Sequence, residues 1–443
     1  MALINDLPLA VPPEMEARYR AAWPSDDLLD AVVPLAATSR VLMLGCAADP
    51  FCLVVARRVA EGWCVVADDD AAAGTLLAET AAAAGLTRVR VLDPATLGAG
   101  TSWGQTSPPT PPRRGEGSQR EARDPTWGGE GSQREARDGD GRGEGSQRGA
   151  DAGTRDAPGV AADIGTPDLV ITNTLYHPSK VVTGELLALA HRLLPPGGTV
   201  YAAGAKDHGI RSIAAEMASI FGQAETCTLR KGHRVVAAVR GSEPASAPSR
   251  VAPVVAETLV HGEPLLLAEA RGVFARGMLD PAAALLAGAI TIRPGEVTAD
   301  LGCGSGVIGL SVARRDPSGH VYLLDSSYAA VRLAAANARR NGIANVTALA
   351  GDAIELLRAR DVRPRLIVTN PPFHAGQTQS RQIAKRLIVG AAERLAPGGR
   401  LYLVANRFLP YEADLRARFD DVGEVAGDAH YKVLLAERLD VTR

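Results

Sequence analysis

Two stretches of this 443-residue chain repeat one another at a fixed spacing, and that repeat limits the fold more than any other feature. Gly45-Cys46 recurs as Gly302-Cys303, and Val55-Ala56-Arg57-Arg58 recurs as Val312-Ala313-Arg314-Arg315. Asp68 recurs as Asp325, Gly85 as Gly342 and Val89 as Val346, always 257 residues later. Within each copy, short apolar runs such as Val41 to Cys46, Cys64 to Asp68 and Val89 to Leu92 alternate with segments of helical period. Strand–helix alternation of this kind predicts an α/β fold with a doubly wound, mostly parallel sheet. The chain therefore reads as two tandem copies of one such fold.

Further along, the spacing shortens. Leu169-Val170-Ile171-Thr172-Asn173 through His177 matches Leu366-Ile367-Val368-Thr369-Asn370 through His374, now 197 residues apart. Pro196-Gly197-Gly198 and Pro397-Gly398-Gly399 each precede another strand. The first copy thus carries about 60 extra residues between its third and fourth strands. Gly115 to Asp124 recurs at Gly129 to Asp138 and in part at Gly143 to Arg148, a 14-residue period. Residues 98–160 are rich in Gly, Pro, Ser, Arg and Glu and nearly devoid of apolar side chains. Such a segment cannot offset the entropy of ordering, so a disordered insertion is expected. Its acidic and basic residues alternate, which argues against a nucleic-acid-binding arm. The expected domains are 1–240, a Pro/Ser/Ala linker at 241–251, and 252–443. Helices are expected over Glu14 to Ala22, Asp26 to Ala37, Ile210 to Phe221 and Pro281 to Ala289, with a closing pair of strands over 224–240.

Composition excludes several classes. No apolar run reaches the ~18 residues that span a bilayer. Met1 to Met15 has no basic region leading into an apolar one, so no secretory signal is read there. The five cysteines form no CxxC pair and no metal-ligand spacing, so reduced thiols, no structural metal and a cytoplasmic location are expected. A net charge of −2 means that any nucleic-acid contact must use local patches.

Two motifs carry chemistry. After the strand-like Leu366-Ile367-Val368-Thr369 comes Asn370-Pro371-Pro372-Phe373-His374. Prolines end the ladder and hold the backbone extended. An amide, two carbonyls and an aromatic ring then sit rigidly at the carboxyl end of a strand, where open α/β sheets bind ligands. Asn370 and the Pro371 carbonyl can accept both hydrogens of a planar amino group, and Phe373 can stack on its ring. The second motif is Asp300-x-Gly302-Cys303-Gly304-x-Gly306, between a strand and a helix start. Its last part also satisfies G-x-G-x-x-G, the dinucleotide fingerprint. Asp325 ends the next strand, where a carboxylate can hold both ribose hydroxyls or cap a helix. Asp352 follows Gly351 after the third strand, as a ligand or as a turn residue.

The glycine motif with its leading Asp300 resembles the first motif of class I S-adenosylmethionine-dependent methyltransferases. Residues 252–443 as a whole resemble tandem-domain ribosomal RNA guanine-N2 methyltransferases, the small-subunit enzyme and its large-subunit relative. The likeness rests on Gly272-Val273-Phe274-Ala275-Arg276, Leu279-Asp280, Asp300 to Gly306, Asn370 to His374, Pro397-Gly398-Gly399 and Ala405 to Tyr411. It implies two Rossmann-like domains, the first degenerate, and S-adenosyl-L-methionine as cofactor. The implied cofactor residues are Asp300, Gly302, Cys303, Gly304, Gly306, Asp325, Asp352 and Asn370; the catalytic ones are Asn370, Pro371, Pro372 and Phe373. The implied partner is ribosomal RNA or a ribosomal subunit, the small one favoured. His374 lines the pocket or serves as a turn histidine. In the first copy Met43, Ala47, Asp49 and Thr174-Leu175 replace Asp300, Gly304, Gly306 and Pro371-Pro372, so that copy is expected to bind neither cofactor nor base and to support the second. Candidate phosphate contacts are Arg271, Arg276, Arg381, Lys385, Arg386, Arg407, Arg230, Lys231 and Arg234. The insertion departs from the family pattern. The rival readings are glutamine N5-methylation of a protein, a nicotinamide-dependent oxidoreductase, and a non-catalytic RNA-binding pair.

Overall fold

A computed structural model describes residues 25–97, 165–177, 180–242, 255–268, 279–371 and 377–439, with the short pairs 3–4 and 7–8. The insertion expected at 98–160, most of the linker, the Gly272 to Arg276 stretch, and Pro372, Phe373 and His374 lie outside the described residues.

The repeat in sequence is a repeat in topology. The first seven-stranded sheet runs Arg40–Leu44, Trp63–Ala67, Val89–Leu92, Leu169–Asn173, Thr199–Ala205, Glu225–Arg230 and His233–Val239 in chain order. The second runs Val297–Leu301, His320–Asp325, Val346–Ala350, Leu366–Thr369, Arg400–Asn406, Asp421–Gly427 and Tyr431–Glu437. Numbered within its own copy, each sheet has the order three-two-one-four-five-seven-six. The first five strands are parallel and the seventh is antiparallel to its neighbours. The central strands are continuous apolar runs because helices cover both faces; Val41 to Leu44 and Leu366 to Val368 are fully buried. The order reverses between strands one and four, and there a crevice opens at the carboxyl ends. A threonine staples that point in both copies: Thr369 Oγ1 donates to Leu301 O at 2.8 Å and Thr172 Oγ1 to Leu44 O at 2.7 Å.

The helix expected over Asp26 to Ala37 spans only 25–32. Pro34 explains the early stop, because proline disfavours helical backbone in the residue before it. The second copy opens with an antiparallel hairpin, Val255–Val260 with Glu263–Ala268.

The copies meet through equivalent loops. Asp70 and Ser327, 257 residues apart and matched by the repeat, form an antiparallel bridge. Ala71 N donates to Ser326 O at 2.7 Å, and the matching Tyr328 N donates to Asp69 O at 2.9 Å. This is the reciprocal pattern of an isologous, two-fold interface made within one chain.

The first copy buries a carboxyl pair. Asp26 and Asp49 are fully buried around the Asn173 amide, whose Nδ2 donates to Asp26 Oδ1 at 2.7 Å. Burial pushes Asp49 up to about 6, and burial plus the Asp49 charge push Asp26 well above the carboxylate range. A free aspartate releases its proton near pH ~4. The folded protein therefore holds more protons than the unfolded chain between that pH and the raised values, and stability falls as pH rises through this window. Asp26→Asn removes one ionisation, so its melting temperature is expected to decline less between pH 5 and pH 8 than that of the wild type. Parallel melting profiles for the two proteins would contradict this account of the pair.

Candidate active site

A cavity of about 940 Å³ occupies the crevice of the second sheet. Its wall includes Gly302, Gly304, Asp325, Asn370 and Pro371, together with Asp70 from the first copy. The glycine turn is shaped for close approach: Gly302, Gly304 and Gly306 all have left-handed φ, at +74°, +54° and +84°. Gly309, the last glycine of the G-x-G-x-x-G match, serves packing. A Cβ there would lie 2.3 Å from Leu323 Cδ2, so the helix could not sit against the sheet.

Asp325 lines the cavity, and each of its oxygens takes one backbone donor, Gly304 N at 2.8 Å and Ser327 N at 2.9 Å. Burial raises its pKa. Each oxygen keeps acceptor capacity, which suits a pair of vicinal hydroxyls. The helix cap that Asp325 could have formed is made by Ser327, whose Oγ accepts from Ala330 N at 3.0 Å. Asp352 also lines the cavity but works as a cap: Oδ1 accepts from Ile354 N and Glu355 N at 2.9 and 3.1 Å, and Oδ2 meets Arg386 at 3.1 Å. Asp300 and Gly306 are not among the lining residues. Asp300 lies beneath the turn, where Oδ2 holds Gly309 N at 2.8 Å and burial pushes its pKa up to about 7. Cys303 lines the cavity, and burial pushes its thiol up, away from the reactive thiolate.

Asn370 is set by a residue to which the sequence reading gave no role. Its Nδ2 donates to Asp280 Oδ2 at 3.0 Å, so the amide oxygen faces the other way. That oxygen is buried and has no hydrogen-bond partner among the described residues. The first copy shows why. There Asn173 Nδ2 likewise meets a carboxylate, Asp26, but Asn173 Oδ1 accepts from Leu175 N at 3.2 Å. By sequence, the position matched to Leu175 is Pro372, which has no N–H and so no backbone donor to offer. An unpaired buried acceptor costs roughly 1–3 kcal/mol and calls for a donor from elsewhere. Pro372→Leu restores that N–H and is expected to lower kcat about tenfold or more, the scale of one competing hydrogen bond, in steady-state assays. An unchanged kcat would show that the free oxygen is not needed.

The matching region of the first copy is filled with protein. A Cβ on Gly45 would lie 2.7 Å from His177 Nε2 and 2.8 Å from Leu186 Cδ1. His177 bonds Thr172 Oγ1 at 2.9 Å and Thr183 Oγ1 at 2.8 Å, and burial pushes it down to about 4, so it is a neutral packing residue. Several basic residues singled out in the sequence face carboxylates: Arg386 meets Asp352, Lys385 Asp414, Arg407 Glu424 and Arg230 Asp27. Among the described residues no cluster could hold a metal ion, and no helix is long and apolar enough to cross a membrane.

S-adenosylmethionine fits these residues: a glycine turn, a carboxylate with acceptor capacity to spare and an asparagine with an unpaired oxygen line one cavity. Residues 265–435 match the family model described as the methyltransferase small domain. Fold, cavity and family model together define a class I S-adenosylmethionine-dependent methyltransferase. Among curated proteins, the chain is 35% identical over 266 residues to the ribosomal RNA small subunit methyltransferase C of Pseudomonas aeruginosa (strain LESB58), covering 59% of this chain and 76% of that protein. It is 30% identical over 261 residues to the ribosomal RNA large subunit methyltransferase G of Shewanella sp. (strain MR-4), covering 57% and 68%. Among solved structures it resembles the Thermus thermophilus 16S rRNA N2 G1207 methyltransferase in complex with AdoMet and guanosine, with TM-score 0.66, 24% identity, and 94% and 92% of the two chains covered. The chain belongs to the family of ribosomal RNA small-subunit methyltransferase C and large-subunit methyltransferase G.

Proposed function

We propose that this enzyme methylates the exocyclic N2 amino group of a guanine in ribosomal RNA, with the small subunit as the favoured substrate. The single observation that carries this reading is the buried, unpaired Oδ1 of Asn370, a residue that lines the cofactor cavity. An amino nitrogen conjugated to a purine ring is a poor nucleophile. Asn370 Oδ1 and the Pro371 carbonyl accept its two hydrogens, which favours a pyramidal nitrogen with its lone pair directed into the cavity. Asp280 keeps the amide from turning over, since a carboxylate cannot face the amide oxygen without repulsion. S-adenosylmethionine, when bound, supplies an electrophilic methyl group. Asp325 and the Gly302–Gly304 turn hold the cofactor, Asp352 orders the adenine side of the wall, and Asp300 supports the turn from beneath. Positioning of this kind can supply up to about 7–11 kcal/mol of a barrier. No strong base is needed, because the nitrogen becomes acidic only as the new bond forms. Phe373 stacks on the base, worth ~1–3 kcal/mol, and Pro372 keeps the acceptor free. A target base in a helix must first leave the stack.

The first copy, taken as residues 1–240 with the insertion at 98–160, supports the catalytic copy at 252–443 and carries no catalysis of its own. A cytoplasmic location fits a ribosomal substrate. The second reading, methylation of a protein glutamine, uses the same acceptor pair on another amide. Transfer of labelled methyl from S-adenosylmethionine to undermodified small subunits, large subunits and a release factor separates the two. Label in small-subunit RNA is expected. Label confined to the release factor would replace the RNA reading by the glutamine one.

A further inference from the structure

The cavity that the second copy presents is not closed by the second copy alone. Asp70 of the first copy stands in its wall beside Asp325, Ser326 and Ser327. The same loop of the first copy holds the second copy's ribose-side loop through backbone and side-chain bonds. Its backbone takes Ser326 O and Tyr328 N, and Asp70 bridges Ser327. The Asp69 carboxylate accepts from Ala329 N at 2.7 Å and from the Ser327 hydroxyl. Beside the Ser327 cap, the Tyr328 and Ala329 N–H groups at the start of the helix Tyr328–Arg340 are thereby met from the other copy, with Arg332 of that helix bonded to Asp93. A helix start normally finds such acceptors in its own chain neighbours. Here the loop that carries Asp325 is held from one side by its own glycine turn and from the other by the first copy.

We propose that the degenerate first copy is a working part of the cofactor site: Asp69 positions the Asp325–Tyr328 loop, and Asp70 completes the cavity wall on the side of the cofactor's adenosine half. The proposal rests on the reading of this cavity as the S-adenosylmethionine site. It explains why a copy with a filled pocket of its own keeps an acidic run, Asp68-Asp69-Asp70, at the place where its own ribose loop would be. The neighbourhood agrees, since the Asp70 charge is one of the influences that raise Asp325. Asp69 is a positioning residue, acting through Ser327 and the helix start. Asp70 has a second duty as the cap of the helix Ala71–Ala83, accepting from Ala73 N at 3.0 Å. Asparagine retains that cap while removing the charge.

The test is calorimetric titration of the full chain with S-adenosylmethionine and with its uncharged thioether product. Three variants are compared with wild type: Asp69→Ala, Asp69→Asn and Asp70→Asn. Asp69→Ala is expected to weaken both ligands about tenfold, the scale of a typical coupling between sites. Asp69→Asn, which keeps an acceptor, is expected to restore most of that loss. Asp70→Asn is expected to weaken both ligands about fivefold, with the melting temperature of the unliganded protein unchanged. In steady-state assays the KM for the cofactor is expected to rise, in step with the titrated affinity, by a larger factor than kcat falls. Affinities within twofold of wild type in both Asp69→Ala and Asp70→Asn would overturn the proposal. Failure of the wild type itself to bind S-adenosylmethionine would instead overturn the cavity reading, and the proposal with it.

Discussion

Asn370→Ala is expected to lower kcat by about 10²–10³-fold, the range found when one preorganised hydrogen-bonding group is removed from a reacting centre. The effect on cofactor affinity should be far smaller. The reason lies in the geometry. The amide of this cavity-lining residue is fixed by one bond to Asp280 at 3.0 Å, and its buried oxygen is left without a partner among the described residues. Alanine removes the acceptor without touching the glycine turn or Asp325. Asn370→Asp should be no better, because it sets a second carboxylate against Asp280. Steady-state kinetics paired with cofactor titration check both variants. A kcat within tenfold of wild type for Asn370→Ala would remove Asn370 from the chemistry.

The largest effect on stability is expected from Glu296→Ala. Glu296 and Arg400 pair inside the second copy: Arg400 Nη2 reaches Glu296 Oε1 at 2.8 Å and Oε2 at 2.7 Å, with the side chains 4% and 2% exposed. Arg400 Nη1 also donates to Thr291 O at 3.0 Å. The pair ties the entry of strand one to the entry of strand five, at the amino ends of the sheet and away from the cavity. Removing Glu296 strands a buried guanidinium, which typically costs about 3–5 kcal/mol. Replacing both residues by methionine should recover most of that loss, because a buried ion pair adds little over apolar packing of similar volume. Denaturant unfolding measures both. The folded fraction of Glu296→Ala should keep a wild-type kcat, which separates this lesion from that of Asn370. A loss under ~1 kcal/mol would mean that the pair is not essential to the second sheet.

The parallel sheets were legible because their strands are buried on both faces. Runs such as Val41 to Leu44 and Leu366 to Val368 cannot be amphipathic helices, and the repeat doubled every signal. The Asp26 to Ala37 helix was overextended because apolar spacing continues past Pro34, while the backbone does not. At the site, the sequence identifies residue types but not which way they point. Asp325 and Asp352 look alike as carboxylates after strands; one offers lone pairs to the cavity, and the other spends its Oδ1 on a helix start. Asp300 leads its motif yet lies beneath the turn. Asp280 and Asp70 were given no role, because each acts across a chain separation of 90 residues or more that no local pattern records. The meaning of Pro372 was half legible. Its missing N–H is written in the sequence, but what that absence leaves free emerged only from Leu175 bonding Asn173 in the first copy.

The measurement that tests the central claim most directly is nucleoside analysis by mass spectrometry of ribosomal RNA methylated by the purified enzyme, with Asn370→Ala in parallel. The account predicts N2-methylguanosine from the wild type and none from the variant. Methylation at a ring nitrogen or at a ribose hydroxyl would contradict it, because the Asn370–Pro371 pair is proposed to accept the two hydrogens of an amino group; a methylated amino group on another base would contradict guanine as the target.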